Sequence, residues 1–312
     1  MNPKIKPAIA GKVVIVTGAS SGVGEATAWE FGKWKARTVV TARRAQRLER
    51  LAERIYDAGG VALPVPADLT DPQQIANLIR ETRSTFGRID VLVNIAGWGH
   101  YDWFEEQTHE TLRRQYEVNV IGMGELIRQV LPVMKEQRSG IIINMSSYAS
   151  KISVPPLTVY SSTKSAIESL SDGLRRELAP WGIKVIRIHP SAVTGTEFKE
   201  KAIADGGVNY STTPIGRVTR EAVARKIVGL VENPQRSLYL GRIYDIPVMM
   251  NAVFPGLVDL FSAFFVKFQR RKELPLLQRP AVSRNHPSIF GGYLAMLSLG
   301  VLVVGWLLRK KP

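Results

Sequence analysis

The sequence predicts an α/β fold in which helices cover both faces of a parallel sheet, a doubly wound arrangement. The first observation is a series of short, β-branched runs between residues 12 and 245, such as VVIV and VLVN. The second is that longer segments rich in Ala, Leu, Glu and Arg separate these runs. The third is that the runs are almost continuously apolar, which is typical of strands buried on both faces.

The predicted elements alternate along the chain. The strands read KVVIVTG, RTVVTA, ALPVPAD, DVLVNIAG, GIIINMSS and IKVIRIHP. The clearest helical segments between them are 24–34, 45–58, 72–86 and 112–136. Each helix then joins two parallel strands by a crossover, and such crossovers are almost always right-handed. The pattern predicts a single domain with one sheet.

The composition excludes several classes of protein. Of 312 residues, 45% are hydrophobic and 22% are charged, which is typical of a globular protein. Cysteine is absent, so disulfides and thiolate metal sites are excluded. The four histidines show no metal-ligand spacing, and we predict no metal site. The apolar run at residues 13–16 is too short for a secretory signal, so we expect the predicted α/β domain in the cytosol.

The C-terminal region has a different composition. The net charge is +15, and residues 267–312 carry nine Lys/Arg and one acidic residue. Residues 289–308, IFGGYLAMLSLGVLVVGWLL, are uncharged. About 20 apolar residues is the length that spans a bilayer. A buried core helix is the alternative, although a complete α/β domain leaves little for such a helix to pack against. We predict a transmembrane helix at 289–308 that anchors the protein by its C-terminus.

Residues 251–288 form a predicted amphipathic, basic segment before that helix. Two interpretations of its apolar stripe remain open: a lid over a substrate pocket, or a helix lying in the membrane interface. The basic residues also raise nucleic acid as a partner. The region lacks a helix-turn-helix and interleaved stacking aromatics, so we predict no nucleic-acid binding. The stripe repeats with the helical period and comprises Leu257, Leu260, Phe261, Phe264, Phe265 and Phe268.

A glycine-rich turn, TGASSGVG at residues 17–24, follows the first predicted strand and opens the first helix. Glycines in this context let the chain turn tightly and let backbone N–H groups approach a pyrophosphate at the helix N-terminus. A glycine triplet alone is a weak signal, but its place between a strand and a helix indicates a dinucleotide site. The predicted contacts are Gly18, Ser20, Ser21, Gly22, Val23 and Gly24.

Two arginines, Arg43 and Arg44, follow the second predicted strand in VVTARR. A site for NAD usually carries an acidic residue here, which hydrogen-bonds the ribose 2′-OH. Guanidinium groups suit a 2′-phosphate instead, so the sequence favours NADP(H). The alternative is a solvated basic start to the second helix.

The stretch YSSTK places Tyr160 and Lys164 one helical turn apart. Such a pair meets on one helix face in many proteins, so the spacing alone is not specific. Together with TGASSGVG, with NIAG at 94–97 and with Ser147 placed 13 residues before the tyrosine, it resembles the short-chain dehydrogenase/reductase family. The resemblance covers roughly residues 10–245. It implies a single Rossmann-type domain, a nicotinamide cofactor and reversible interconversion of a carbonyl and an alcohol.

The resemblance implies roles for four residues. Tyr160 is the expected general acid/base, and Ser147 is expected to hydrogen-bond the substrate oxygen. Lys164 is expected to bind the nicotinamide ribose and to lower the pKa of the phenol, whose ordinary value of about 10 is too high for proton exchange at neutral pH. Asn119 is expected to hold a helix irregularity and a water chain that leads to the lysine.

Further cofactor contacts follow from the same resemblance. The sequence departs from the family pattern at Ile95, where a second Asn is usual, and at Ser191, where Gly is usual. Both departures bear on cofactor geometry rather than on the type of reaction. The expected contacts are Asp68 at the adenine edge, the backbone of Asn94, Ala96 and Gly97 near the adenine ribose, and Pro190, Val193 and Thr196 at the carboxamide and phosphates.

The sequence names no substrate, but the predicted membrane helix favours a lipophilic carbonyl or alcohol. We divide the chain into an NADP(H)-binding domain at 1–250, the amphipathic basic segment at 251–288 and the transmembrane helix at 289–308. The alternative function is a non-catalytic NADP(H)-binding membrane scaffold or sensor on the same fold. Because the family commonly forms dimers and tetramers, a homo-oligomer is a further expectation.

Overall fold

The computed structural model describes residues 8–153, 155–204 and 216–273. In this part of the chain, strands and helices alternate as the sequence predicts. The strands are β1 (Val13–Thr17), β2 (Arg37–Thr41), β3 (Val61–Pro64), β4 (Val91–Asn94), β5 (Gly140–Met145), β6 (Ile183–Pro190), β7 (Val193–Thr194), β8 (Val218–Thr219) and β9 (Ser237–Leu240). The α-helices are α1 (Gly22–Lys33), α2 (Ala45–Asp57), α3 (Pro72–Phe86), α4 (His109–Tyr116), α5 (Gly122–Glu136), α6 (Thr158–Leu178), α7 (Phe198–Ala204), α8 (Arg220–Glu232), α9 (Asp245–Val253) and α10 (Pro255–Glu273).

Seven of these strands form one parallel sheet in the order β3-β2-β1-β4-β5-β6-β9. The order reverses between β1 and β4, and ligands of open α/β sheets bind at such a switch point, outside the carboxyl ends of the strands. The doubly wound, Rossmann-type sheet is therefore confirmed. Strand β9 is absent from the six predicted runs, because SLYL is short, only partly buried and lies at the sheet edge.

The core lies on both faces of the sheet. In β1, Val14 and Val16 pack on one side with α1 and α8, while Val13 and Ile15 pack on the other with α3, α5 and α6. All four side chains are fully buried. Successive side chains of a strand point to opposite faces, so a strand covered on both sides has no solvent-facing positions. This explains the near-continuous apolar runs in the sequence.

The predicted helix 112–136 is in fact interrupted. Helix α4 ends at Tyr116, a π-helical turn spans Glu117–Ile121, and α5 then begins at Gly122. At Gly122 a Cβ atom would lie 2.4 Å from the Leu69 carbonyl oxygen, so the backbone there approaches a neighbouring loop closely. A hydrophobic period cannot reveal such an irregularity, because the apolar residues continue through it.

Helices α9 and α10 follow the last strand of the sheet. Helix α10 includes the predicted amphipathic stretch, but the stripe is split: Leu257 and Phe261 are partly buried against the domain, whereas Leu260 and Phe264 are 67% and 65% exposed. Among the described residues, no single helix is long and apolar enough to cross a membrane. Arg242–Val253 and Pro255–Phe264 together have the required length and apolar composition, but they form a pair bent by 112°. The predicted span at 289–308 lies outside the described residues.

Candidate active site

A cavity of about 510 Å³ lies at the carboxyl ends of the central strands. It brings together nearly all of the residues that the sequence singled out. Asn94 and Asn119 are the two exceptions, since both are buried and neither lines the cavity. The predicted residues that line it are Gly18, Ser20, Ser21, Gly22, Val23, Gly24, Arg43, Arg44, Asp68, Ala96, Gly97, Ser147, Tyr160, Lys164, Pro190, Val193 and Thr196.

The glycine-rich turn packs tightly against its neighbours. A Cβ atom at Gly24 would lie 2.2 Å from the Gly18 carbonyl oxygen, and one at Gly18 would lie 3.0 Å from the backbone of Ala96. Gly18 also has a φ of 67°, in the region that favours glycine. The Thr17 hydroxyl accepts hydrogen bonds from the N–H groups of Ile95 and Ala96 at 2.9 and 3.0 Å. The turn and the segment after β4 thus form a rigid cradle at the N-terminus of α1, a place suited to a pyrophosphate.

The two predicted phosphate arginines have different surroundings. Arg44 donates hydrogen bonds to the hydroxyls of Ser20 and Ser21 at 2.8 and 2.9 Å, which ties the end of β2 to the glycine-rich turn. Its remaining nitrogen donates to Glu197 at 3.1 Å. Arg43 is 62% exposed, and its guanidinium lies 4.0 Å from the carboxylate of Asp68. Both guanidinium groups lie at the end of the cavity where the adenosine of a bound dinucleotide is expected.

Ser147 and Tyr160 meet at the other end of the cavity. Ser147 follows β5 in an extended conformation, and Tyr160 lies in the first turn of α6. The Ser147 hydroxyl accepts a hydrogen bond from the Ala149 N–H at 3.1 Å, and it lies near enough to the Tyr160 phenol to lower the pKa of that phenol. The neighbouring Ser146 is buried, and its hydroxyl donates to the Lys164 carbonyl oxygen at 3.4 Å. Ser147, and not Ser146, therefore has the geometry of a partner for the tyrosine.

Lys164 lies one turn further along α6 and is buried. Its Nζ donates to the Met145 carbonyl oxygen at 3.0 Å and lies 5.6 Å from the centroid of the Tyr160 ring. Burial lowers the pKa of the Lys164 ammonium to about 8. Burial also raises the pKa of the Tyr160 phenol above its ordinary value, and the neighbouring Ser147 hydroxyl offsets only part of that rise. The lowered phenol pKa expected from the sequence is therefore not seen in the protein alone, because desolvation outweighs the effect of Ser147.

Asn119 lies in the π-helical turn, as the resemblance implies. Its Oδ1 accepts from the Trp98 N–H at 2.8 Å, and its Nδ2 donates to the Trp98 carbonyl oxygen at 2.8 Å and to Thr163 at 3.1 Å. Asn119 thereby joins the loop after β4 to the residue that precedes Lys164. Asn94 likewise joins two parts of the fold, because its Nδ2 donates to Oδ1 of Asn144 on β5 at 2.9 Å.

A buried charged cluster behind Lys164 was missed by sequence reasoning. Glu168, one turn beyond the lysine on α6, accepts hydrogen bonds from Lys151 at 2.7 Å and from Arg187 at 2.9 Å. Its other oxygen lies 2.7 Å from Nε2 of His189. The partners are 17 to 21 residues away in sequence, so no local pattern joins them. The only local signal is the four-residue spacing from Tyr160 through Lys164 to Glu168.

The substrate end of the cavity is apolar and aromatic. The rings of Tyr101 and Phe198 lie 5.7 and 5.9 Å from the ring of Tyr160, centroid to centroid. This apolar cluster continues into the C-terminal helices through Leu257 and Phe261 of α10. The cluster also contains Ile152, Leu157, Ala202, Val248, Met250 and Val258.

The fold and this cavity together define a Rossmann-type protein with a dinucleotide cradle at one end and a Ser–Tyr–Lys constellation at the other. Comparison with known families agrees: the model described as short chain dehydrogenase matches residues 12–206. The chain belongs to the short-chain dehydrogenase/reductase family and is an oxidoreductase.

Individual relatives support the same assignment. The chain is 34% identical over 231 residues to an uncharacterized oxidoreductase of Staphylococcus saprophyticus, covering 72% of this chain and 92% of the relative. It is also 34% identical over 232 residues to 11-beta-hydroxysteroid dehydrogenase A of Sesamum indicum, covering 70% and 65%. Among solved structures, a 3-ketoacyl-(acyl-carrier-protein) reductase from Brucella melitensis complexed with NADH has a TM-score of 0.65 and 29% identity, covering 74% of this chain and 97% of that one.

Proposed function

We propose that the protein is an NADP(H)-dependent oxidoreductase that interconverts a carbonyl and a secondary alcohol on a lipophilic substrate. The observation that carries the proposal is the layout of one cavity. Its adenosine end presents Arg43 and Arg44, and its other end presents Ser147, Tyr160 and Lys164 beside an apolar cluster. A nicotinamide cofactor held by the glycine-rich turn would lie along this axis.

The catalytic groups divide the chemistry between them. The nicotinamide supplies or accepts the hydride when bound. Tyr160 donates a proton to the substrate oxygen during reduction, and Ser147 hydrogen-bonds that oxygen as negative charge develops on it. Lys164, held by the Met145 carbonyl oxygen and next to the Asn119–Thr163 contact, returns the proton to the tyrosine.

The preference for NADP(H) rests on charge. Among the described residues that line the cavity, five are cationic and two are carboxylates, which suits a cofactor with an extra phosphate. The Brucella melitensis neighbour was solved with NADH, so family membership alone leaves this choice open. The five cations are Arg43, Arg44, Arg114, Lys164 and Lys201, and the carboxylates are Asp68 and Glu197.

Replacing both Arg43 and Arg44 by alanine is expected to weaken NADPH binding about tenfold to a hundredfold more than it weakens NADH binding. Both cofactors lose the support that Arg44 gives to Ser20 and Ser21 of the glycine-rich turn, whereas only NADPH also loses the contacts to its 2′-phosphate. Dissociation constants measured at one fixed ionic strength would check the result. Arg50→Ala is the matched control, because Arg50 is an exposed cation on α2, the helix that follows Arg44. Equal losses for both cofactors would contradict the NADP(H) proposal.

A lipophilic substrate is supported by the apolar end of the cavity. The name of the Sesamum indicum relative refers to a hydroxysteroid, and that of the Brucella melitensis neighbour to a ketoacyl chain on a carrier protein. Both names describe an oxygen function on a largely apolar skeleton. We propose a substrate of that general kind here, with its skeleton against Tyr101 and Phe198 and its oxygen between Ser147 and Tyr160.

We further propose that the C-terminal helices meet a membrane. On one side α10 packs against the apolar end of the cavity, while on the other side α9 and α10 expose large apolar side chains. The lid and the interfacial helix are therefore compatible roles for the two sides of α10. We retain the division into 1–250, 251–288 and 289–308, with a C-terminal anchor and a cytosolic catalytic domain. The exposed apolar side chains are Met249, Val253, Phe254, Leu260 and Phe264, at 59%, 60%, 50%, 67% and 65%.

Extraction of the full chain from cell membranes tests the anchor. We expect the protein to remain with the membrane fraction in high salt and at alkaline pH and to be released only by detergent, because the predicted attachment is hydrophobic. A version ending at residue 288 is the matched control and is expected to dissociate in salt. Release of the full chain by salt alone would contradict a transmembrane anchor.

A further inference from the structure

The arginines at the adenosine end of the cavity already hold an anion of this chain. Glu197 accepts from Arg44 at 3.1 Å through Oε2 and from Arg47 at 2.6 Å through Oε1. Lys201, one turn along α7, lies 2.8 Å from Oε2 of the same carboxylate. Hydrogen bonds from Lys201, Arg47 and Arg44 hold the pKa of Glu197 at about 2, so the carboxylate is ionised at any physiological pH.

The position of Glu197 matters because Arg44 is also tied to the glycine-rich turn. Its Nε and a terminal nitrogen donate to Ser20, and that terminal nitrogen also reaches Ser21. The nitrogen that remains, Nη1, is the one that Glu197 engages. An incoming 2′-phosphate therefore meets a guanidinium in which each of the three nitrogens already donates a hydrogen bond to this chain. The contact through Nη1 is with a carboxylate that is 38% exposed and that has Lys201 as another partner.

We propose that Glu197 is a specificity-determining residue for the cofactor, whose carboxylate the 2′-phosphate of NADP(H) displaces from Arg44 and Arg47. The proposal deepens the NADP(H) preference proposed above and rests on it. NADH carries no 2′-phosphate, so it binds with the Glu197 contacts intact. The Glu197 carboxylate thus lowers the affinity for NADP(H) without changing the affinity for NADH. The natural protein therefore prefers NADP(H) over NADH less strongly than its two arginines alone would allow.

Displacement has a consequence at the substrate end, because Glu197 directly precedes α7. Phe198, the first residue of that helix, lies 5.9 Å from the ring of Tyr160 and 6.3 Å from the ring of Tyr101. The ion pairs of Glu197 with Arg44 and Arg47 fix the start of α7 near Tyr160. Breaking them frees this segment, so occupation of the 2′-phosphate site loosens the wall of the substrate pocket.

The test compares Glu197→Gln with Glu200→Gln, which removes the same charge from an exposed position on α7. Dissociation constants are measured for NADPH and NADH and for the fragments 2′,5′-ADP and 5′-AMP, at one ionic strength. We expect Glu197→Gln to tighten NADPH and 2′,5′-ADP about fivefold, since partly exposed ion pairs are individually weak, and to leave NADH and 5′-AMP unchanged. Glu200→Gln is expected to change none of the four.

Two results would overturn the proposal. One is an unchanged or weaker affinity of Glu197→Gln for 2′,5′-ADP, which would mean that Glu197 supports the arginines instead of competing for them. The other concerns hydrogen exchange of backbone amides in residues 198–204. We expect faster exchange in the NADPH complex than in the NADH complex of the natural protein, and no difference in Glu197→Gln. Equal exchange in both complexes of the natural protein would exclude displacement.

The outcome for Glu197 is separable from the outcome for cofactor preference. The natural protein's ratio of NADPH to NADH affinity tests the preference, whereas the change in that ratio in Glu197→Gln tests the displacement. A natural protein that prefers NADH, combined with a shift towards NADPH in the variant, would refute the first and support the second. If the natural protein prefers NADPH and the Glu197→Gln variant shows the same preference, the cofactor preference is supported and the displacement of Glu197 is refuted.

Discussion

Replacing Tyr160 by phenylalanine is expected to lower kcat/KM for carbonyl reduction about a thousandfold while NADPH still binds. The ring and its contacts with Tyr101 and Phe198 remain, but the proton donor is lost. Steady-state rates on a panel of aldehydes and ketones would measure the loss, and a fluorescence titration with NADPH would show that the cofactor site is intact. Of the predictions made for this protein, this one has the largest effect on activity.

The matched control is Tyr116→Phe. The Tyr116 hydroxyl also hydrogen-bonds a serine, Ser162 on α6, at 2.9 Å, but this tyrosine does not line the cavity. The control is expected to keep the activity of the natural protein. Turnover that survives in Tyr160→Phe would contradict the proposed mechanism. A natural protein that binds NADPH and reduces no carbonyl would favour the scaffold or sensor alternative.

Replacing Glu168 by glutamine is expected to lower the free energy of unfolding by about 3 kcal/mol. Arg187 is 5% exposed, and without the carboxylate its buried charge retains only Asp172, at 3.0 Å, as an anionic partner among the described residues. Urea unfolding at neutral pH would measure the loss. Glu125→Gln is the matched control, because the Glu125–Arg128 pair lies on the surface of α5 with Arg128 71% exposed, and a much smaller change is expected there.

The effect of Glu168 should also depend on pH. Although burial alone would raise the pKa of this carboxyl, hydrogen bonds with His189 and Lys151 lower it from 4.5 to about 2. A lowered pKa means that the folded protein binds fewer protons than the unfolded chain between these values, so the stability is fully present above pH 4.5 and is lost as the pH falls through 2. The difference between the natural protein and Glu168→Gln is expected to shrink over that window. A constant difference would show that the carboxylate is not the source of the stability.

The sequence predicts the sheet well because its signals are local. Buried strands such as β1 and the start of α3, where Asp71 accepts from Gln73 and Gln74, are determined by residues close together in the chain. The glycine-rich turn and the YSSTK pair are local in the same sense, and both lie at the cavity. The hydrophobic period does not show the interruption at Glu117–Ile121, which the family resemblance at Asn119 implies, because the apolar residues continue through it.

The remaining features of the site depend on residues far apart in the sequence. Glu197 meets Arg44 across 153 residues, and Glu168 meets His189 across 21, so neither pairing leaves a periodic pattern. The raised pKa of Tyr160 depends on how much water the folded protein removes, which composition cannot express. The sequence therefore predicts which residues line the site, whereas the structure is needed to identify the charged side chains that surround them.

One measurement tests the central claim most directly. Membranes carrying the protein are incubated with a lipid extract and with NADPH deuterated at the hydride position of C4, and the products are examined by mass spectrometry. We predict lipid species that gain one deuterium and one ordinary hydrogen, and that are absent when Tyr160→Phe replaces the natural protein. Cofactor oxidation without a deuterated lipid, or the same products from Tyr160→Phe, would contradict the account.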